Sequence, residues 1–416
     1  MAKDGGNGKS VLIIVENLPV PRDRRVWQEA RALAQAGYRV SIICPRTAAY
    51  PCWHEVLEGI HIYRHPLPQA EEGALAYLAE YATALFWQSV LAWRVLLTRG
   101  FDIIHACNPP DMVFLVALVF KLMGKRFLFD HHDLSPELYL VKFGRRGLFY
   151  RVLLTLERWT FRSADVSLAT NNSFRRVAIE RGGMNPEKVF VVRSGPDLRR
   201  YKIMASNTAL KMGRPYLVGY MGVMNSQDGL DYLLRAAHHI VHVLGRRDVQ
   251  FALLGDGPEL KRLKEAAGEM GLSDFVTFTG WANDDVALPY LNTADVCVCP
   301  DPYNEFNDRC TMNKIMEYMA LGKPVVQFDL TEGRVSAGDA SLYAERNDPV
   351  DLADKIVRLL DDKAERVRMG AIGRHRVERE LSWQQQVTVL LRAYEAVDRP
   401  RSKPEVKREA PGESFR

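Results

Sequence analysis

Short, unbroken apolar runs recur along this chain at intervals that leave room for one helix between each pair. That spacing constrains the fold more than any other feature. Residues 11–15 read V-L-I-I-V, and a run without polar alternation marks a strand buried on both faces, as in a parallel sheet covered by helices. A loop follows (E-N-L-P-V-P-R-D-R-R), then a helical stretch over 26–36 closed by Gly37, then a second strand at 38–44. This β-loop-α-β opening is the first unit of a doubly wound α/β fold, where ligands sit beyond the carboxyl ends of the strands.

The same alternation predicts strands at 60–64, 102–105, 126–129, 166–169 and 189–192, with helices at 74–99, 111–123, 148–162 and 173–181. A second series follows, with strands at 216–221, 250–254, 276–279, 296–299 and 325–328. Its helices are expected at 230–243, 259–270, 285–291, 311–321 and 350–360, and one more at 383–397. Between the two series, residues 197–213 are polar and basic without period and read as a linker. At 416 residues the chain can bury two cores. The expectation is two Rossmann-like, doubly wound parallel-sheet domains facing a cleft. The first spans 11–197 on the acceptor side and the second spans 214–380, joined by 198–213. A helix at 381–398 packs back toward the first domain, and the ends (1–10 and 399–416) are disordered.

Composition excludes several function classes. A net charge of +5 gives no reason to invoke nucleic acid. The six cysteines show no C-x-x-C pair or metal-ligand spacing and read as free thiols in a reducing cytoplasm. The amino terminus lacks an apolar signal core, and the longest apolar run, 112–123, is interrupted by Lys121 and too short to span a bilayer. A cytoplasmic chain is expected.

Three stretches carry chemistry. The first strand's loop has no glycine, so it is not the usual dinucleotide cradle. It carries Arg22, Asp23, Arg24 and Arg25, which read either as a solvated turn or as acceptor or phosphate contacts at the cleft. The strand at 126–129 runs into D-H-H-D-L-S-P-E, 130–137, where an α/β fold places reacting groups. Adjacent residues on an extended segment point apart, so His131 and His132 cannot chelate one metal jointly. In 304–326 (N-E-F-N-D-R-C-T-M-N-K-I-M-E-Y-M-A-L-G-K-P-V-V), Thr311 can N-cap a helix whose Ile315, Met316, Met319 and Ala320 face inward. Glu317 then faces away from Ile315 and Met319, toward a cleft, and the helix N-terminus is a ready anion site.

Together with V-G-Y-M-G at 218–222, L-L-G-D-G-P-E at 253–259 and V-T-F-T-G-W at 276–281, the N-K-I-M-E-Y-M-A-L-G-K-P-V-V segment resembles the family 4 glycosyltransferases of the GT-B fold. The resemblance runs from Val11 to about Val397. The D-R-R-V-W-Q-E-A-R-A-L and H-D-L-S-P-E segments resemble a bacterial branch that builds surface polysaccharides or glycolipids. It implies a retaining transfer of a sugar from a nucleotide-diphosphate donor to a saccharide or lipid-linked acceptor, without a metal or other cofactor. Glu317 is then the ribose ligand, and His132, with Asp133 orienting it, lies near the reacting sugar. Gly222 admits the phosphates, and Asp256, Gly257, Phe278, Thr279 and Gly280 complete the donor wall.

Two departures stand out. Where the family commonly has a second acid, eight positions before Glu317, this chain has Arg309, with Asp308 or Glu305 as substitutes. The cations that the family commonly places after the first glycine are missing from G-V-M-N-S-Q-D-G, which has Asp228 instead. Arg309, Lys314 and the backbone N–H groups of Thr311, Met312 and Asn313 are therefore expected to hold the diphosphate. An epimerase, or a binding partner with a degenerate donor site, are the alternatives. Residues 142–162 hold six bases against the single acid Glu157, interleaved with aromatic and aliphatic residues. They suit either an anionic membrane surface on the inner leaflet or a core helix with snorkelled arginines.

Overall fold

The computed structural model describes residues 8–67 and 74–399, without the side chains of 74–78. The expectations for 1–7 and 400–416 lie outside the described residues. The first sheet contains β1 (Ser10–Ile14), β2 (Arg39–Pro45), β3 (His54–Leu57), β4 (Ile60–His65), β5 (Ile103–Cys107), β6 (Arg126–His131), β7 (Val166–Ala169) and β8 (Val189–Val191). Their order is β3-β4-β2-β1-β5-β6-β7-β8, parallel throughout except for the β3–β4 edge pair. The second sheet contains β9 (Tyr216–Met221), β10 (Val249–Leu254), β11 (Val276–Gly280), β12 (Val296–Cys299), β13 (Val325–Phe328) and β14 (Ser341–Ala344). Its order, β11-β10-β9-β12-β13-β14, reverses between β9 and β12, which is the crevice position of a doubly wound sheet.

Helices cover both faces of each sheet. In the first domain these are α1 (Arg24–Gln35), α2 (Ala74–Thr98), α3 (Phe114–Leu122), α4 (Ser135–Phe143), α5 (Leu148–Ser163) and α6 (Asn172–Arg176). The second has α7 (Leu230–His238), α8 (Leu260–Glu269), α9 (Asp284–Thr293), α10 (Asn313–Ala320), α11 (Thr331–Ala337), α12 (Pro349–Asp361) and α13 (Lys363–Arg376), and the chain then enters α14 (Trp383–Asp398). The helices expected at 173–181 and 230–243 each end in a π turn, at Val177–Arg181 and His239–Val243.

The strand period of two sorts the first sheet's side chains into two cores. Val11, Ile13 and Val15 face a core shared with α1 and α14, while Leu12 and Ile14 face α2, α3 and α5. Trp383, Leu390, Tyr394 and Val397 of α14 are buried in that first core. The second domain is thus followed by a helix that belongs to the first domain's packing. The chain crosses between domains twice, and the crossings touch: Trp383 N donates to Pro196 O at 3.0 Å. Residues 197–213 are more ordered than a bare linker, with Tyr201 buried in the second domain's core.

Candidate functional site in the interdomain cleft

Between the domains lies a cavity of about 310 Å³. Arg25, His132, Asp133, Thr170 and Ser194 line it from the first domain. Gln227, Asp228, Asp301, Asn307, Cys310, Thr311, Met312 and Asn313 line it from the second.

On the first domain's side, the last two residues of β6 are Asp130 and His131, both buried completely. Arg25 grips Asp130 at both oxygens, with Nε to Oδ2 at 3.0 Å and Nη2 to Oδ1 at 2.8 Å. Burial alone would raise the Asp130 pKa, but Arg25 and His132 hold it well below the usual carboxylate range. His132 Nε2 lies 2.5 Å from Asp130 Oδ2. Asn108 Oδ1 accepts from the backbone N–H of His132 at 2.7 Å and of Asp133 at 3.2 Å, which fixes the turn. His131 points the other way, among Phe129, Phe161 and Phe174, and burial pushes its pKa down to about 3.

Two expectations need correction here. The residue that orients His132 is Asp130; the Asp133 carboxyl lines the cavity instead, and burial raises its pKa. Of the first loop's charges, Asp23 is a helix cap, accepting from Val26 N at 3.1 Å, and Arg25 is a buried ion-pair partner. The short side chain before α1 serves the helix end, and Arg25 lines the cavity while its guanidinium is taken by Asp130, 105 residues away. Arg24 alone reaches across the cleft, to Glu317 Oε1 at 3.4 Å.

On the second domain's side, the loops after β9, β10 and β11 are hydrogen-bonded to one another. Gly222 N donates to Leu254 O, Met224 N to Asp256 O and Gly255 N to Gly280 O, each at 3.0 Å. Gly255, at φ +137°, has no room for a Cβ, which would fall 1.8 Å from Gly222 O. The Asp256 carboxylate accepts from Gly257 N, and the Thr279 hydroxyl donates to Gly280 O. Phe278, Thr279 and Gly280 remain partly exposed along this wall.

Lys314 rises from the first turn of α10 alongside Gly222 and ends 2.9 Å from Asp301 and 4.0 Å from Asp228. Burial would lower its pKa, but Asp301 and its neighbours hold it well above the ordinary lysine value. Burial also raises Asp228. Glu317, in the middle of α10, accepts from the Tyr201 hydroxyl and from Arg24.

Thr311 does not cap α10. The helix begins at Asn313, after Met312, with no side-chain cap, so Thr311 and Met312 precede it. The Thr311 hydroxyl instead accepts from Asn171 Nδ2 at 3.0 Å and Arg193 Nη1 at 3.3 Å, both in the first domain. Arg309 is also held across the cleft, with Nη1 2.6 Å from Glu137 Oε1. The two substitute acids are occupied elsewhere: Asp308 accepts from Thr331 N and Oγ1, and Glu305 pairs with Arg146. Lys314 is thus the cation that the structure brings to the Gly222 loop, whereas Arg309 spans the domains.

Among the described residues, one group could offer three metal ligands, namely His105, Cys107 and Asp130. Arg25 already holds both Asp130 oxygens, and His105 Nδ1 lies 2.8 Å from the Tyr394 hydroxyl, so this group fits a buried polar network better than a metal.

Comparison with known proteins follows these two walls. The family described as "Glycosyltransferase Family 4" matches residues 23–200, and that described as "Glycosyl transferases group 1" matches residues 215–362. The chain belongs to the GT-B glycosyltransferases of family 4. This glycosyltransferase is 22% identical to the 2-deoxystreptamine glucosyltransferase of Streptomyces kanamyceticus, over 82% of this chain and 89% of that protein. It is 29% identical to the alpha-D-kanosaminyltransferase of the same organism, over 37% of this chain and only 38% of that protein. Among solved structures, sucrose-phosphate synthase from Thermosynechococcus elongatus superposes with a TM-score of 0.76 at 21% identity, covering 93% of this chain and 98% of that one. The Anabaena protein HepE, solved in complex with UDP-glucose, gives 0.67 at 16% identity, covering 93% and 99%.

Proposed function

We propose that this glycosyltransferase moves a sugar from a nucleoside-diphosphate donor to a saccharide or lipid-linked acceptor, with retention at the anomeric carbon and without a metal. The observation that carries this reading is the seat of Lys314 beside Gly222, on the wall opposite His132. A departing diphosphate gathers negative charge while the sugar becomes cationic, so the protein's task is positioning and electrostatic preorganisation. Lys314 would meet the diphosphate from its seat beside Asp301. Glu317 would exchange Tyr201 and Arg24 for two ribose hydroxyls, a geometry that a carboxylate accepts readily. His132, held by Asp130, would face the sugar. A neighbour solved with UDP-glucose supports a nucleotide-sugar donor. The six exposed bases of 142–162 support an acceptor carried by a lipid at an anionic membrane face.

The test is a screen of nucleotide sugars for donor hydrolysis and transfer, run with and without chelator. Activity that persists in chelator and falls at least ~10-fold in Lys314→Met is the expected result. Turnover with none of the donors, or turnover restored only by a divalent cation, overturns the reading.

A further inference from the structure

The layer of α2, α3 and α5 that covers one face of the first sheet is apolar on its outer side as well as its inner one. On α2, Phe86, Val90, Trp93 and Leu97 are all exposed, at spacings of four, three and four, so they form one stripe on solvent. On α3, Leu115, Leu118 and Leu122 do the same, with Leu122 89% exposed. On α5, Leu148, Val152 and Trp159 continue the surface. The helices are contiguous: Trp93 packs on Phe120 and Trp159 on Phe114, which places α3 between the other two. Fifteen of the thirty exposed large hydrophobics among the described residues fall within 86–159. Scattered apolar side chains on a surface are ordinary, but three adjacent stripes are a binding face.

Charge says what covers it. Between residues 84 and 163, Asp102 is the one exposed acid. Glu157, the single acid of α5, is fully buried against Arg181 at 2.5 Å. The bases of the same region point outward: Arg94 on α2, Arg151, Arg158 and Arg162 on α5, and Arg145 and Arg146 just before it are all exposed. An apolar centre with a cationic border and almost no anionic one matches an anionic bilayer, whose acyl region takes the first and whose headgroups take the second. Among the described residues no helix is long and apolar enough to cross a membrane, so the contact is a docking one.

We infer that the α2–α3–α5 face seats this protein on an anionic lipid surface. The border of that face reaches the cleft. Arg146, two residues before α5, pairs at 2.9 Å with Glu305 on the loop that follows β12, so the docked face and the cavity mouth adjoin. The inference deepens the lipid-linked acceptor reading, but vesicle binding needs neither donor nor acceptor, so either can fail alone.

Co-sedimentation of the full chain with vesicles of phosphatidylcholine, and of phosphatidylcholine mixed with phosphatidylglycerol, tests it. The expected result is binding to the mixed vesicles, weakened by salt and absent with phosphatidylcholine alone. The pair Leu97→Asp with Leu122→Asp and the pair Arg151→Glu with Arg162→Glu each reduce binding about tenfold or more, with an unchanged thermal midpoint. The inference is overturned by no binding to the mixed vesicles, or by binding indifferent to both pairs. A dimer seen by size-exclusion chromatography and split by Leu97→Asp with Leu122→Asp overturns it too, in favour of a second copy.

Discussion

Glu317 shows how a single side chain can be placed from a contiguous motif. Its helix, its inward neighbours and its cleft-facing side were all legible in ten consecutive residues. Its partner Tyr201 was not, because the two are 116 positions apart, and nothing in a polar linker marks one tyrosine as buried. The same separation hid Asp130 as the partner of Arg25, 105 positions away, and Glu137 as the partner of Arg309, 172 away. Local demands misled the reading at Thr311, whose hydroxyl serves the other domain. Glu317→Ala should raise the donor KM by about 10-fold or more, since a charge-assisted hydrogen bond contributes roughly 1.5–3 kcal/mol; an unchanged KM in initial-rate assays contradicts the ribose role. A second residue sets a pH dependence. Glu16, 4% exposed, has its pKa raised to about 8, first by burial and then by Glu80. The folded form therefore keeps its proton while the unfolded form loses one from 4.5 upward. Stability is highest below pH 4.5 in this respect and declines as pH rises to about 8, by at most about 5 kcal/mol. Urea unfolding at several pH values should show that decline, and Glu16→Gln should make it shallower, since Glu157 is raised to about 8 as well.

Elements were legible where burial makes strands continuously apolar, and less so at the edges. β3 is an edge strand without a fully buried residue, so it carries no such run. α4 begins inside the D-H-H-D-L-S-P-E stretch, where Ser135-Pro136-Glu137 is an ordinary helix start. α13 was not among the expected helices, and it carries two glycines, Gly370 and Gly373. They let α13 approach α10 and the turn after it: a Cβ on Gly373 would fall 2.9 Å from Met319 Cγ, and one on Gly370 2.1 Å from Gly322 O. The interlock of α14 with the first sheet is testable through one atom. The Tyr394 hydroxyl meets His105 Nδ1 in a buried setting, so Tyr394→Phe leaves that nitrogen without its partner. A loss of about 1–3 kcal/mol is expected, read from chemical denaturation, and no loss means that the contact is dispensable.

The whole molecule is two doubly wound bodies whose facing surfaces are tied by polar contacts and by Phe306 and Cys310, which pack on the first domain's core. Ser173 donates to Glu332 from both its N–H and its hydroxyl, at 3.1 and 2.7 Å, and Arg309 and Thr311 are held by the first domain as described. Such an interface permits relative domain motion. Glu332→Ala should therefore open the cleft, seen as a larger radius of gyration by small-angle X-ray scattering; an unchanged radius means that the other contacts suffice. The two-domain architecture was legible from the recurrence of apolar runs, whereas the closed pose was not, since it rests on side chains that only the fold brings together. The path of the chain has one more consequence. Because α14 follows the entire second domain in sequence yet covers Val11, Ile13 and their neighbours, the ribosome delivers the first domain's cover only after the second domain has emerged. The half made first is thus the half completed last, reversing the usual amino-end-first order of folding during synthesis. For that interval α1 alone covers this sheet face, and the apolar surface left beside it is of the kind that chaperones shield.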